Sequence, residues 1–438
     1  MLDMHPREYV MKLIEVGLKA ADPYESIMRN IRIKDDEILI GGFRTKLRKV
    51  HVIGFGKSSL RMAEALNDIL GDFILGGVII TPDKSGRLGS IEISKGDHPI
   101  PGDNTSRSSE RLLEYLSNVE EDDLVIILIS GGGSALFEKP LPGLDLRDLA
   151  VATDILMRSG ADIIELNTVR KHLSAVKGGR LLRYIKSKEI YSLIMSDVIG
   201  DPISFIASGP TAADETTYKD AIEVLRNRKI WDKIPESVRR VLLKGLNGEV
   251  EESIKPGDKI LEKVRNIIIA SNIISLNAME IYARERGFNV VNLGPYIAGE
   301  AREVGRTMAS ILKSIKNLGK PVRPPAVVLC GGETTVTVRG EGVGGRNQEM
   351  CLSIMIEIRG LENIYFACIG SDGIDGVSPA AGAVVDGRGF EEAVRLGMDP
   401  KDYLDRNDSY TILKRIGRTV ETGPTGTNVG DFYLGVVI

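Results

Sequence analysis

The chain has 438 residues, 42% of them hydrophobic, which is enough for a sizeable core and long for a single one. A formal net charge of -4 and 5% aromatic content supply neither the basic field nor the stacking surface that nucleic acid demands. No apolar run approaches the roughly 20 residues that span a bilayer, and residues 1–22 alternate apolar and charged side chains as an amphipathic helix does.

The expectation is a cytoplasmic protein with no nucleic-acid and no membrane partner, its oligomeric state left open. Three cysteines, Cys330, Cys351 and Cys368, sit in apolar segments and read as buried free thiols. The single glutamine, Gln348, among abundant Lys, Arg, Glu and Ile is a bias shared with thermophile proteins.

Short apolar runs ending in Gly, Ser or Asp recur along the chain, each followed by a helical stretch. They are Val50–Ile53, Gly77–Thr81, Leu124–Ile129, Ser192–Met195, Asn266–Ala270, Val290–Leu293, Ala326–Leu329 and Ile364–Ile369. Continuous Val/Ile/Leu runs mark strands buried on both faces, as parallel sheets require. The helices between them give an α/β architecture, in which ligands bind beyond the carboxyl ends of strands. A polar, glycine-rich break at residues 244–258 divides the chain into an N-terminal domain, 1–248, and a smaller C-terminal one, 258–438. Two α/β domains facing each other across a cleft are expected.

In chain order, the first chemical signal is Gly54-Phe55-Gly56-Lys57-Ser58-Ser59. It misses a Walker A loop because His51 stands where G-x-x-x-x-G-K-[ST] needs glycine. It still offers Lys57 and two hydroxyls near a helix start, where a cation against the helix dipole implies an anionic ligand. His98, in the rigid Asp97–Gly102 loop, has no nucleophile partner. Ser130-Gly131-Gly132-Gly133-Ser134 follows the strongest strand, and successive glycines let backbone N–H groups converge on an anion.

Residues 167–180 read as a helix with Asn167, Arg170, Ser174 and Lys177 aligned on one side. That stripe suits either a solvated basic face or anion binding. Asp197 and Asp372 each follow a strand, a position that serves a general base, a magnesium ligand or a turn cap. A second strand-to-Gly-Gly turn is expected at Gly331–Thr334. After the Gly340–Gly345 loop, Arg346 opens an apolar helix to about Ile358 and repeats the logic of Lys57.

Taken in order, Gly54–Ser59, Gly96–Asn104, Ser130–Phe137, Asn167–Arg183, Ser196–Pro210, Cys330–Glu349, Gly370–Asp375 and Gly423–Asp431 resemble the class II glycerate kinases, the family that carries the MOFRL domain. The resemblance implies an N-terminal α/β/α parallel-sheet (Rossmann-like) domain and a smaller C-terminal α/β MOFRL domain. It implies transfer of the ATP γ-phosphoryl group to D-glycerate, giving 2-phosphoglycerate, with magnesium or another divalent cation. The family's functional lysine and arginine fall on Lys57 and Arg346. Asp197 is then expected to take the attacking hydroxyl's proton or to position the metal. Ser130, Gly131, Gly132, Gly133 and Ser134 are expected to cradle nucleotide phosphates.

One departure is Gly430, where the family usually has asparagine before the aspartate. The alternative reading is a hydroxypyruvate reductase or another NAD(P)-dependent enzyme of small hydroxy acids, whose G-x-G-x-x-G fingerprint fails at Ser59. A non-catalytic organic-acid sensor is the third reading, disfavoured by the number of charged loops.

Overall fold

The computed structural model describes residues 5–438, which form two compact units. One comprises Ser26–Met195 and Asp201–Ile269; the other gathers the chain up to Glu25, the short segment Ser196–Gly200 and Ala270–Ile438. The polar stretch 244–258 therefore lies inside the first unit, not between the two. Composition cannot reveal this, because the amino-terminal helix Pro6–Ala21 belongs to the second unit. It buries Tyr9, Val10, Leu13 and Ile14, and Gly17 meets the methyl end of Met279.

The first unit opens with a small antiparallel meander, β1 (Ile31–Lys34), β2 (Glu37–Ile40) and β3 (Phe43–Lys46). Its main sheet contains β4 (Val50–Phe55), β5 (Ile74–Thr81), β6 (Gly86–Leu88), β7 (Ile91–Lys95), β8 (Leu124–Ile129), β9 (Glu189–Met195) and β10 (Val264–Ala270), in the order β10-β9-β8-β4-β5-β7-β6. The pairs β4–β5, β4–β8, β5–β7 and β8–β9 are parallel, and β6 alone is shown antiparallel to its neighbour. Every residue of β4 and β8 is buried, as their unbroken apolar runs require. The intervening helices start on side-chain caps: Asp145, Asp162 and Thr217 each close a capping box with the carboxylate three residues on.

The second unit contains β11 (Asn289–Asn292), β12 (Ile297–Glu300), β13 (Ala326–Thr335), β14 (Ile364–Gly370), β15 (Gly382–Asp386), β16 (Thr419–Val420) and β17 (Asp431–Val437). Its strand order is β11-β13-β17-β14-β15-β16, with β12 also pairing β13. Here the expectation of parallel strands is corrected. β11 and β12 run parallel to β13, but β17 lies antiparallel to both β13 and β14, and β15 to β14. β14, β15 and β17 are buried just as completely as β4 and β8, so their apolar runs look the same whichever way the neighbours point.

The helices Ala301–Leu318 and Arg346–Glu357 bury Met308, Leu312, Met350, Ile354 and Met355 against Val328, Phe366 and Tyr433. The three cysteines are buried and free, and burial pushes the Cys330 thiol up to about 12. Gly331–Thr334 is not a turn but the end of β13. Its glycine is required by close approach: a Cβ on Gly331 would lie 1.9 Å from Asn272 Oδ1. The amide of that asparagine donates to the carbonyls of Val429 (3.0 Å) and Asp431 (2.9 Å). The fold is thus α/β in two units, one built on a Rossmann-like parallel sheet and a smaller one on a mixed sheet.

Candidate active site

The carboxyl ends of β4 and β8 lie side by side, Phe55 opposite Ile129, and the two following turns are laced together. Lys57 N–H donates to the Gly131 carbonyl (2.9 Å), Ser130 N–H to the Phe55 carbonyl (3.3 Å), and Ser58 N–H to Ser130 Oγ (3.0 Å). This lacing needs Gly56, at φ +136°, because a Cβ there would meet Ser130 Oγ at 2.2 Å and its carbonyl oxygen at 2.7 Å. Between buried neighbours, Lys57 alone is exposed, and among the described residues its ammonium has no ion-pair partner.

The Ser59 hydroxyl, expected to serve a ligand, instead donates to the carbonyls of Gly56 (2.8 Å) and Ile80 (3.2 Å).

The glycine run turns through Gly132 at φ +80°, where a Cβ would meet the His98 ring at 3.0 Å and Lys57 Cγ at 3.3 Å. His98 thus stands beside the turn. Partial burial and the Lys57 charge hold its pKa below the usual imidazole range. Among the described residues, the N–H groups of Gly131, Gly132 and Ser134 donate to no protein acceptor, while Gly133 N–H is used by the Ser130 carbonyl. The hydroxyls are committed: Ser130 Oγ as an acceptor, and Ser134 Oγ 2.8 Å from Ser208 Oγ. What remains open to a ligand is backbone N–H beside a lysine, the ingredients of an anion nest.

The expected helix over residues 167–180 is corrected to Ile163–Lys171, after which the chain turns. Asn167 bonds its own helix, its amide donating to the Ile163 carbonyl (2.9 Å). Lys177 is not a surface cation: it is 1% exposed and pairs with Glu138 at 2.7 Å. Burial lowers its pKa, with the Glu138 charge opposing. Arg170 and Lys177 nevertheless converge on one atom, the Ser134 carbonyl oxygen, at 3.2 and 3.0 Å. Glu138 went unnoticed in the sequence, where a lone glutamate after an apolar turn carries no signal.

In the second unit, Arg346 is the first residue of the helix Arg346–Glu357. Its guanidinium donates to both oxygens of Asp431 (2.5 and 3.0 Å) and to Glu333 (3.0 Å). Burial would lower its pKa, but the Asp431 and Glu333 carboxylates raise it further, so it stays cationic. The helix N-terminus itself is capped by Asp375, which is 2% exposed and accepts from the backbone N–H groups of Asn347 (3.0 Å) and Gln348 (2.8 Å). Burial pushes Asp375 up to about 6, against those hydrogen bonds.

Asp431 was legible only as the last residue of a family-like stretch. Asp372 accepts from Ile374 N–H (3.0 Å). Asp197, half-buried just beyond β9, belongs to the Ser196–Gly200 segment of this unit. Among the described residues no three His, Cys, Asp or Glu side chains gather so as to hold a metal ion, and no helix is long and apolar enough to cross a membrane.

Free backbone N–H groups and a lysine at adjacent carboxyl ends of a parallel sheet place the chain among two-unit α/β enzymes that handle small anionic substrates. It belongs to the glycerate kinase family that carries the MOFRL domain. A domain of unknown function (DUF4147) matches residues 9–243, and the MOFRL family model matches residues 326–431. A glycerate 2-kinase of Pyrococcus horikoshii is 43% identical, covering 100% of this chain and 98% of its own. A D-glycerate 2-kinase of Thermotoga maritima is 40% identical over 90% of this chain and 92% of its own.

The solved structure of a glycerate kinase from Thermotoga maritima superposes with a TM-score of 0.88 at 37% identity, covering 99% of each chain. A relative from Agrobacterium vitis, 39% identical over 98% of this chain and 94% of its own, is named a putative hydroxypyruvate reductase.

Proposed function

We propose that the chain transfers the γ-phosphoryl group of ATP to the 2-hydroxyl of D-glycerate, giving 2-phosphoglycerate and ADP. The observation that carries the reading is the conjunction of N–H groups at Gly131, Gly132 and Ser134 that have no acceptor among the described residues with the Lys57 ammonium, which has no ion-pair partner among them. Phosphoryl transfer through a loose transition state needs positioning and charge neutralisation more than covalent help from the protein. A reductase would also set backbone N–H groups on its dinucleotide pyrophosphate, but Ser59, bonded into the turn, stands where its third glycine belongs.

In this reading the Ser130–Ser134 turn holds nucleotide phosphates through N–H groups, and Lys57 neutralises the transferring phosphoryl. Asp197 takes the 2-hydroxyl proton as that oxygen attacks the γ-phosphorus and the bond to the ADP oxygen breaks. Arg346, oriented by Asp431, is the cation assigned to the glycerate carboxylate. A divalent cation such as magnesium, which the family implies, would supply further neutralisation of the phosphate charge when bound. With no carboxylate cluster among the described residues, it would arrive with the nucleotide and need at most one or two protein ligands, for which Asp197 and Asp372 are the candidates.

A coupled assay separates the two activities. D-glycerate-dependent release of ADP is expected, with no NAD(P)H oxidation on hydroxypyruvate, and NMR of the product should place the phosphate on C2. Hydroxypyruvate-dependent NAD(P)H oxidation without ADP release would replace this reading by the reductase.

A further inference from the structure

Lys177 and Glu138 form an ion pair that the proposed chemistry leaves unused, with side chains 1% and 2% exposed. Taking both charges out of water costs several kcal/mol, and well-packed apolar side chains would hold the same volume at least as well. What an apolar pair could not do is seen in the bonds. The ammonium donates to Glu138 Oε2 (2.7 Å) and to the carbonyls of Ser134 and Phe137 (3.0 Å each). An ammonium has three donors, so none is left over.

Glu138 is itself pinned. Its Oε1 accepts from Ser174 Oγ (2.5 Å) and Lys139 N–H (3.0 Å), and its N–H donates to Ser109 Oγ (3.1 Å). Arg170 Nη2 adds a second cation on the Ser134 carbonyl. Of this turn's carbonyls, that of Ser134 is thus drawn toward the buried Lys177 and the partly exposed Arg170, while those of Ser130, Gly131, Gly132 and Gly133 accept from backbone N–H groups. The N–H groups of Gly131, Gly132 and Ser134 are left unused by the protein, at residues that stay partly exposed.

We propose that the buried Lys177–Glu138 pair, helped by Arg170, is a positioning device that holds the Ser130–Ser134 turn with its N–H groups presented to the nucleotide phosphates. The pair touches no substrate; it acts through the Ser134 and Phe137 carbonyls. The proposal rests on that turn being the nucleotide cradle, and it assigns the polar stripe of Arg170, Ser174 and Lys177 to the turn, not to solvent or to glycerate.

The test uses the whole enzyme and a charge-neutral double variant, Lys177→Met with Glu138→Gln, so that no buried charge is orphaned. The KM for ATP is expected to rise about tenfold, the loss of little more than one good hydrogen-bonded contact, with the KM for D-glycerate unchanged and kcat within a few-fold. Equal changes in both KM values together with a fall in Tm would reduce the pair to a structural role and overturn the proposal. So would a folded double variant with unaltered kinetics. If the double variant does not fold, Ser174→Ala, which keeps both charges and removes only the hydroxyl that pins Glu138 Oε1, should raise the ATP KM about threefold, and no change there overturns the idea equally.

Gly132→Ala separates the two layers, since a Cβ at φ +80° distorts the turn directly. If Gly132→Ala leaves the ATP KM untouched, the cradle reading falls and the positioning proposal with it. If Gly132→Ala raises the ATP KM while the pair variants do not, only the positioning proposal falls.

Discussion

Lys57 stands exposed between buried neighbours with no ion-pair partner among the described residues, whereas Arg346 spends its guanidinium on Asp431 and Glu333. Both are cations at or beside a helix start, and from sequence they look alike. The structure separates them by how the protein has already dealt with their charge. Around Lys57 the polar groups left over are N–H donors, so negative charge has to come from a ligand. Around Arg346 the charge is answered internally, by a buried carboxylate on the guanidinium and by Asp375 on the helix end. A cation of the first kind is available to a substrate and contributes little to folding. One of the second kind is oriented by its partner and, on the proposed reading, does both jobs.

The largest effect should follow from Arg346→Ala. It leaves Asp431, 1% exposed, without its counter-charge; because the Arg346 side chain is itself 35% exposed, the loss is about 1–3 kcal/mol, that of a buried acceptor deprived of its donor, beside a fall in kcat/KM on the order of 10²-fold. Adding Asp431→Asn should return most of the unfolding midpoint while leaving activity low. If the double variant regained activity as well, Arg346 would be a structural residue only.

Lys57→Ala is the contrasting case. Here kcat should fall on the order of 10²- to 10³-fold, the usual cost of removing one transition-state electrostatic contact, with stability within about 0.5 kcal/mol of the parent. A marked drop in Tm would show that Lys57 has a protein partner after all and would erase the distinction.

How far the sequence carried this comparison depends on what each feature answers to. Six of the eight apolar runs lie in strand segments buried throughout, because a strand buried on both faces must be apolar. Asn266–Ala270 and Val290–Leu293 fall instead on the half-buried edge strands β10 and β11, the latter overrunning by one residue. The lysine and glycine turns after β4 and β8 follow from strand ends. Antiparallel pairing of β17 with β13 and β14 left no trace, since burial, not direction, sets composition. The stripe of Arg170, Ser174 and Lys177 had the right residues and the wrong geometry. Helical spacing suggested one face, whereas the helix stops at Lys171 and a turn brings Lys177 back to Ser134. Asp431 and Arg346 are 85 residues apart, as are most partners that decide a side chain's role, and no local pattern reports such a pairing.

The smallest of the three effects is a pH dependence confined to the Arg346 side. Asp375 sits at about 6 in the folded chain because burial penalises its charge more than the Asn347 and Gln348 N–H groups reward it. Unfolded, an aspartate titrates near 3.9. The folded state therefore holds this proton more tightly, and the stability it contributes is complete below about pH 4 and lost as pH rises through about 6. The loss is about 1–3 kcal/mol at neutral pH.

Asp375→Asn fixes the neutral form and keeps, through its one amide oxygen, one of the two helix-end bonds. Its urea midpoint, followed from about pH 4 to 7, should stay flatter than that of the parent chain across the Asp375 window. Equal slopes in the two proteins would mean that Asp375 is ionised throughout, its charge sustained by the helix N-terminus. Among the described residues the Lys57 turn hydrogen-bonds to no buried carboxylate, so Lys57→Ala should leave the parent's slope in place. The two variants would thus divide by pH what Arg346→Ala and Lys57→Ala divide by stability.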